Sequence, residues 1–528
     1  MARLRRQSTA REENTMRVDL RKLLCVAVVV LAGLPASAVV TLPKIIGDHM
    51  MLQQGVKAPV WGKTSPGDKV TVSMCGKTVS AMACSKGYWQ IELPKMKAGG
   101  PYEMTISDKD GSVTVKDILV GEVWMGSGQS NMQWAVKDTN NAEAEIAAAN
   151  YPRIRLFYVE RQVAENPRWD CNGSWLVCTP ENIPIFSAVL YYFGRDLHKE
   201  LGVPMGLIHT SWGGTPAESW TSAPAMQANP EFKPLLDRWA DIIANYPVAK
   251  AAYDEAVKKW EAEVAQAKSE NKPEPKKPDA PQGPDSPHRP SSLYNAMIAP
   301  LVPYGVRGAI WYQGESNAGR AYQYRALFPA MINDWCEAWD DDFAFYWVQL
   351  ANFTKRLEEP ADSDWAELRE AQTMTLSLPH TGQAVIIDIG EAENIHPRNK
   401  QDVGKRLALI ALAKDYGRKV EWSGPMFKSA RFGGGKATVS FKHATGLKTS
   451  NGQAPRGFAV AGADKKFYWA DAAIKGNKVV LRCKDVAEPV AVRYGWANNP
   501  DVNVYNGAGL PASPFRSDGW PGITFGKN

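Results

Sequence analysis

The chain has 528 residues, 44% hydrophobic and 22% charged, which is long enough for several domains and ordinary for a soluble globular protein. Its formal charge of +6 gives no basis for a nucleic-acid or membrane-surface partner. Nineteen Trp residues are many; they suit stacking on sugar rings, although most are expected to be core aromatics.

The first 38 residues read as an export leader. Met16 offers a second start, with basic residues in MRVDLRK followed by the apolar run LLCVAVVVLAGL. Pro35-Ala36-Ser37-Ala38 supplies the small residues that a signal peptidase needs. The apolar run is too short to span a bilayer. Cys25 lacks the small residue expected before a lipobox cysteine, which favours a soluble exported protein, periplasmic or extracellular, over a lipoprotein. Six cysteines follow. Cys75 with Cys84, and Cys171 with Cys178, could close small loops; free thiols are the alternative. No CxxC pair or His cluster points to a metal.

Residues 39–118 alternate short β-like runs (APVWGK, KVTVSM, YWQIELP, YEMTISD) with turn residues, the pattern of a small β-sandwich. From Leu119 to Gly417, apolar strand-like runs alternate with amphipathic helices. The strands are GEVWMGSG, RIRLFYVE, MGLIHTS, RGAIWYQG, FAFYWVQLA and QAVIIDIG. The helices include FSAVLYYFGRDLHKEL, RALFPAMINDWCEAW, AELREAQTMTLSL and QDVGKRLALIALAKDY. Such alternation predicts a doubly wound α/β domain with its site beyond the carboxyl ends of the strands. An insertion at about 229–290 reads as an exposed helix followed by a Pro-rich, charged loop, with nothing in it that suggests catalysis. Residues 418–528 return to β character and are expected to form a C-terminal β domain or extension.

Chemistry concentrates at strand ends. Ser130, in Gly126-Ser127-Gly128-Gln129-Ser130-Asn131-Met132, follows the strand EVWM. A Ser at a tight strand-to-helix turn presents its hydroxyl to a base and its N–H to an oxyanion. Met132 stands where a G-x-S-x-G elbow would have its second Gly. His396, in Glu393-Asn394-Ile395-His396-Pro397, follows AVIIDIG. Glu393 lies three residues earlier, so the two side chains could share a turn. Asp388 and Glu391 are the fallback carboxylates, and His209 is the rival base. Two further loops, Trp212-Gly213-Gly214-Thr215-Pro216 and Gln313-Gly314-Glu315-Ser316-Asn317, offer glycines and polar donors beyond strands of their own.

Taken in order, GQSNMQW, SWGGTPAESW, IWYQGESNA and IHPRNKQDVGKRLA resemble the SGNH-hydrolase superfamily, most closely its sialate O-acetylesterase and carbohydrate acetylesterase branch. The tail VRYGWANNPDVNVYNGAGLPASPFRSD is similar to that branch as well. The resemblance implies an SGNH-type, flavodoxin-like doubly wound parallel sheet with flanking small β-sandwich domains. It implies Ser130 as nucleophile, His396 as base, and Glu393 as the third member in place of the superfamily's Asp; a Ser130–His396 dyad is the alternative. Oxyanion donors are expected from the Ser130 N–H, Gly214, Gln313 and Asn317. Gln129, Asn131, Trp134, Glu315 and Arg398 are the expected substrate-binding residues, with Glu315 alternatively holding its loop. Arg398 and Lys400 are the candidate cations for a substrate carboxylate. The implied activity is removal of O-acetyl groups from sialic acids through an acetyl-serine, without metal or cofactor. An acetylxylan or other polysaccharide acetylesterase is the near alternative, and a non-catalytic carbohydrate-binding protein the distant one. An acetylated sugar is the expected partner.

Overall fold

A computed structural model of the protein describes residues 40–527; the leader expected over 1–38 lies outside the described residues. The described residues form one compact unit.

The centre is a mixed sheet. Its strands are β1 (Ser112–Gly128), β2 (Tyr151–Tyr158), β3 (Trp175–Cys178), β4 (Met205–Ser211), β5 (Gly308–Tyr312), β6 (Ala344–Val348) and β7 (Thr381–Ala384), in the order β7-β6-β5-β1-β4-β2-β3. All neighbours are parallel except β2 and β3. The sheet is therefore mixed, not wholly parallel: Trp175–Cys178 adds an antiparallel edge that its short text, WLVC, did not announce. From Ile118 to Gly128, β1 is buried at every position, as a strand covered on both faces should be. The sequence order reverses at β1, whose neighbours are β4 and β5. Its carboxyl end is thus the topological switch point where α/β sheets hold ligands.

β1 also runs straight through the expected domain boundary at Ile118. Its first half pairs with Gly99–Ser107, and Met51–Gln53 adds alongside in parallel, so the N-terminal strands and the central sheet share one strand. The last expected strand is shorter than its apolar text. β7 stops at Ala384, and Val385–Gly390 turn away where Arg406 takes the Val385 carbonyl at 2.7 Å and the Asp388 carboxylate at 2.6 and 2.8 Å.

The helices are α1 (Ser130–Gln133), α2 (Ala188–Leu201), α3 (Lys233–Ser269), α4 (Ala321–Trp339), α5 (Asp364–Met374) and α6 (Lys400–Lys414), with shorter turns between them. Ser187 caps α2 by accepting from the Leu190 N–H at 3.3 Å, and Gly202 ends it in the left-handed region. α6 presses on α2 at Gly404, where a Cβ would stand 2.6 Å from that of Tyr192; only glycine permits the approach. After α3 the Pro-rich segment folds back, and the Pro275 carbonyl accepts from the Trp260 indole at 2.8 Å.

Beyond α6 the chain forms two four-stranded antiparallel sheets around Val439, Phe441, Leu481, Val492, Tyr494 and Phe515. Arg369 on α5 joins this region to the central domain: its fully buried guanidinium donates to the carbonyls of Leu350, Ala351, Ala497 and Asn498. Trp124, Trp220, Trp311, Trp335 and Trp347 are core residues. All six described cysteines are free thiols, so neither proposed loop-closing pair is bonded. No described helix is long and apolar enough to cross a membrane.

Candidate active site

β1 delivers Gly128 to the top of the sheet. There the Gln129 N–H donates to the Tyr312 carbonyl on β5 at 3.0 Å, and the Gly128 carbonyl accepts from the Trp212 N–H at 3.1 Å. The chain then turns at once into α1. Ser130 is its first residue, so its N–H has no intrahelical partner. The loop after β4 closes against Ser130. A Cβ on Gly213 would lie 3.2 Å from the Ser130 Cβ, and the Gly213 N–H donates to Gln133 Oε1 at 2.8 Å.

The loop after β7 brings His396 to Ser130. His396 Nε2 stands 2.7 Å from Ser130 Oγ, although the two residues are 266 positions apart. The loop braces itself: Asn394 Oδ1 accepts from the His396 N–H at 2.9 Å, and Glu391 Oε1 accepts from the Arg398 N–H at 2.8 Å. The Trp134 indole stacks on the imidazole, with centroids 4.9 Å apart and planes inclined by 17°. Burial, and then the positive charge of Lys400, hold the His396 pKa below its usual value. The imidazole is therefore neutral at neutral pH and can accept a proton.

Glu393 does not take the place expected of it. It is exposed, and among the described residues no carboxylate oxygen lies within 4.0 Å of either ring nitrogen of His396. A three-residue spacing puts two side chains on one face only in a helix, and this segment is an irregular turn with a Glu391–Asn394 bridge. The fallbacks are engaged elsewhere, Asp388 with Arg406 and Glu391 with Arg398. Burial alone would raise the Glu391 pKa, but Arg398 brings it below the ordinary range. His209 is no rival. It is fully buried, its Nε2 is 2.5 Å from Ser211 Oγ, and burial drives its pKa down to about 3.

Two of the four expected oxyanion donors are engaged within their own loop framework. Gln313 Nε2 donates to Asn317 Oδ1 at 2.6 Å and to the Thr215 carbonyl at 3.3 Å, while its Oε1 accepts from Tyr324. Asn317 Nδ2 donates to Glu218 Oε2 at 2.9 Å, and Arg320 pairs with the same carboxylate. These two amides build the loop. The Ser130 and Gly214 N–H groups have no acceptor among the described residues. Gln129 Oε1 accepts from Gly314 and Ser316 at 3.4 Å each, and no acceptor for its Nε2 is found among the described residues.

Asn131 proves to be a structural hub. Its Nδ2 donates to Glu315 Oε1 at 2.6 Å and to the Ile395 carbonyl at 3.0 Å, and its Oδ1 accepts from Lys400 Nζ. One side chain thereby ties α1 to the loop after β5 and to the residue preceding His396. With every polar atom engaged and 1% of its surface exposed, Asn131 has nothing left for substrate. Glu315 is tied to α1 through its Oε1 bond with Asn131, while its Oε2 is buried with no partner among the described residues. Burial raises the Glu315 pKa and pushes that of Lys400 down to about 7, so both groups lean toward their neutral forms. Lys400 is fully buried and cannot meet a substrate carboxylate; Arg398 keeps more than half of its side chain exposed. Read from sequence, Lys400 is a candidate cation for substrate, a helix cap or a solvent-facing residue; the fold turns it inward onto Asn131.

No family model matches the chain. It is 30% identical to the sialate O-acetylesterase of Mus musculus, across 89% of this chain and 93% of that protein. The Homo sapiens sialate O-acetylesterase is 29% identical across 89% and 91%. A crystal structure of a carbohydrate acetylesterase from Xanthomonas citri superposes with a TM-score of 0.78 and 39% identity, covering 91% of this chain and all of that one. With a serine and a histidine in contact at the carboxyl end of the central strand, and with relatives that align along nearly their whole length, the chain belongs to the sialate O-acetylesterase family of carboxylic ester hydrolases.

Proposed function

We propose that the protein hydrolyses O-acetyl esters of sugars by two-step acyl transfer through Ser130, on an SGNH-type scaffold. The 2.7 Å contact between Ser130 Oγ and His396 Nε2 carries the reading. His396 accepts the hydroxyl proton as Oγ attacks the acetyl carbonyl. The oxyanion takes hydrogen bonds from the N–H groups of Ser130 and Gly214. The sugar oxygen leaves with the proton returned by His396. Water, deprotonated by the same imidazole, then cleaves the acetyl-serine and frees acetate.

A dyad must stabilise its imidazolium without a carboxylate. The Trp134 ring face offers a substitute, since a cation over an indole gains about 0.5–2 kcal/mol. Asn131 supplies the positioning by fixing both loops. The protein is proposed to act outside the cytoplasm, on the strength of the export leader expected from the sequence of its first 38 residues.

O-acetylated sialic acids are the first substrate class to test, given the names of the mammalian relatives. Arg398, exposed although paired with Glu391 at 3.5 Å, is the expected cation left to meet their carboxylate. Acetylated neutral polysaccharide is the second class, favoured by Lys400 being out of reach. Acetate release measured on both panels decides between them. Release that survives Ser130→Ala overturns the proposal.

A further inference from the structure

The carboxyl end of the sheet continues into a row of cavities that the chemistry above does not use. One, of about 530 Å³, is lined by Asn352, Lys355, Arg356, Gly390, Glu393 and Asn499. Glu393 stands three residues before His396, so this cavity borders the loop that carries the base. Arg356 and Asn499 also line a second cavity of about 430 Å³, whose opposite wall comes from the C-terminal β region and includes Trp469 and Arg456. Trp469 in turn lines a third, of about 180 Å³, beside Trp496 and Arg493. The larger two have the size of sites that hold small molecules, about 300–1,000 Å³.

The walls are fixed. The Trp469 indole N–H donates to the Glu358 carbonyl at 2.7 Å, which sets the ring, yet 40% of the residue is exposed. The Asp501 carboxylate bridges Arg356 at 3.1 Å and Arg456 at 3.0 Å. Asn499 is held by Asn352 at 2.9 Å and by the Thr354 carbonyl at 2.5 Å. A held, half-exposed indole flanked by paired charges and amides is what a pyranose asks for: an apolar face for its C–H groups and polar atoms at the rim for its hydroxyls. Charges of both signs, mutually compensated, suit a neutral sugar better than an anionic one.

We propose that these cavities form one groove that binds the unacetylated, neutral sugar units of the substrate's own glycan chain, with Trp469 as the stacking platform. This rests on the carbohydrate-esterase reading of the Ser130 site and extends it from one acetylated sugar to an oligosaccharide.

The test titrates xylohexaose and cellohexaose, both free of acetyl groups, into the Ser130→Ala protein by calorimetry. It repeats the titration with Trp469→Ala and, separately, Arg356→Ala added, and circular dichroism checks each fold. At least one hexasaccharide should bind, and each added substitution should weaken it about tenfold, the scale of one lost stacking or charged contact. On otherwise active enzyme, Trp469→Ala should raise KM for acetylated xylo-oligosaccharides about tenfold while kcat changes far less. It should also lower the preference for those substrates over 4-nitrophenyl acetate by a similar factor. No binding of either hexasaccharide, or binding and KM indifferent to both substitutions in folded protein, overturns the groove. Failure of the underlying esterase reading looks different: no acetate is then released from any acetylated glycan, whatever stands at position 469.

Discussion

The Trp134 indole lies nearly parallel to the His396 imidazole at a centroid separation of 4.9 Å, on a histidine that no described carboxylate approaches. The ring that usually leans on an acid leans here on an aromatic face. Trp134→Leu should therefore lower kcat by about ten- to a hundredfold, the scale of losses from a misplaced catalytic group. Trp134→Phe, which keeps a face, should recover much of it. Steady-state kinetics on 4-nitrophenyl acetate separates the two. Equal activity in both variants would mean that the stack does not position the base.

Glu393→Gln should leave turnover within about twofold of the parent, as expected for an exposed side chain without a partner. Were Glu393 a working triad acid, the amide would cost about 10⁴-fold. Kinetics on this single variant distinguishes those outcomes by orders of magnitude.

The pH profile carries a sign. His396 is held below the usual histidine pKa of about 6.5 by burial and by Lys400. It stays neutral, and active, until the pH falls through that lowered value. The acid limb of kcat/KM should thus lie below pH 6.5, where a carboxylate-paired histidine would put it above. Lys400→Met removes the opposing charge and should move the limb upward. A limb that stays put in this variant would show that Lys400 does not act on the base.

Arg369 makes a stability prediction. Arg369→Met strands the buried Leu350 and Ala497 carbonyl oxygens, takes one of two donors from those of Ala351 and Asn498, and unfastens residues 497–498 from α5, so it should cost about 3 kcal/mol. Arg369→Lys should not restore it, because an ammonium has three donors and no planar fork. Urea denaturation midpoints give the comparison. A loss under 1 kcal/mol in Arg369→Met would contradict the clamp.

What sequence made legible follows from the periodicity of strands and helices. The strand-end rule led to Ser130 and His396 independently, and the structure places them in contact. Trp134 is an expected substrate-binding residue on the sequence alone, and its stack on His396 depends on a distant loop that no local pattern reveals. The failures share one cause: irregular turns have no period. Glu393 was put beside His396 by a spacing that means something only in a helix. Gln313 and Asn317 were read as free donors because their partners, Thr215, Glu218 and Tyr324, converge only in three dimensions. Lys400 sits at a helix start, where charged residues usually face water, and nothing local marks it as buried.

The central claim is that Ser130 is the nucleophile and His396 alone activates it. The most direct measurement is mass spectrometry of the protein after reaction with diethyl 4-nitrophenyl phosphate, which phosphorylates an activated serine. The account predicts one diethylphosphoryl group, on the peptide containing Ser130. Labelling should be lost in Ser130→Ala, strongly slowed in His396→Ala and nearly unaffected in Glu393→Gln. A label on another residue, or labelling of Ser130 that proceeds unchanged without His396, would contradict it.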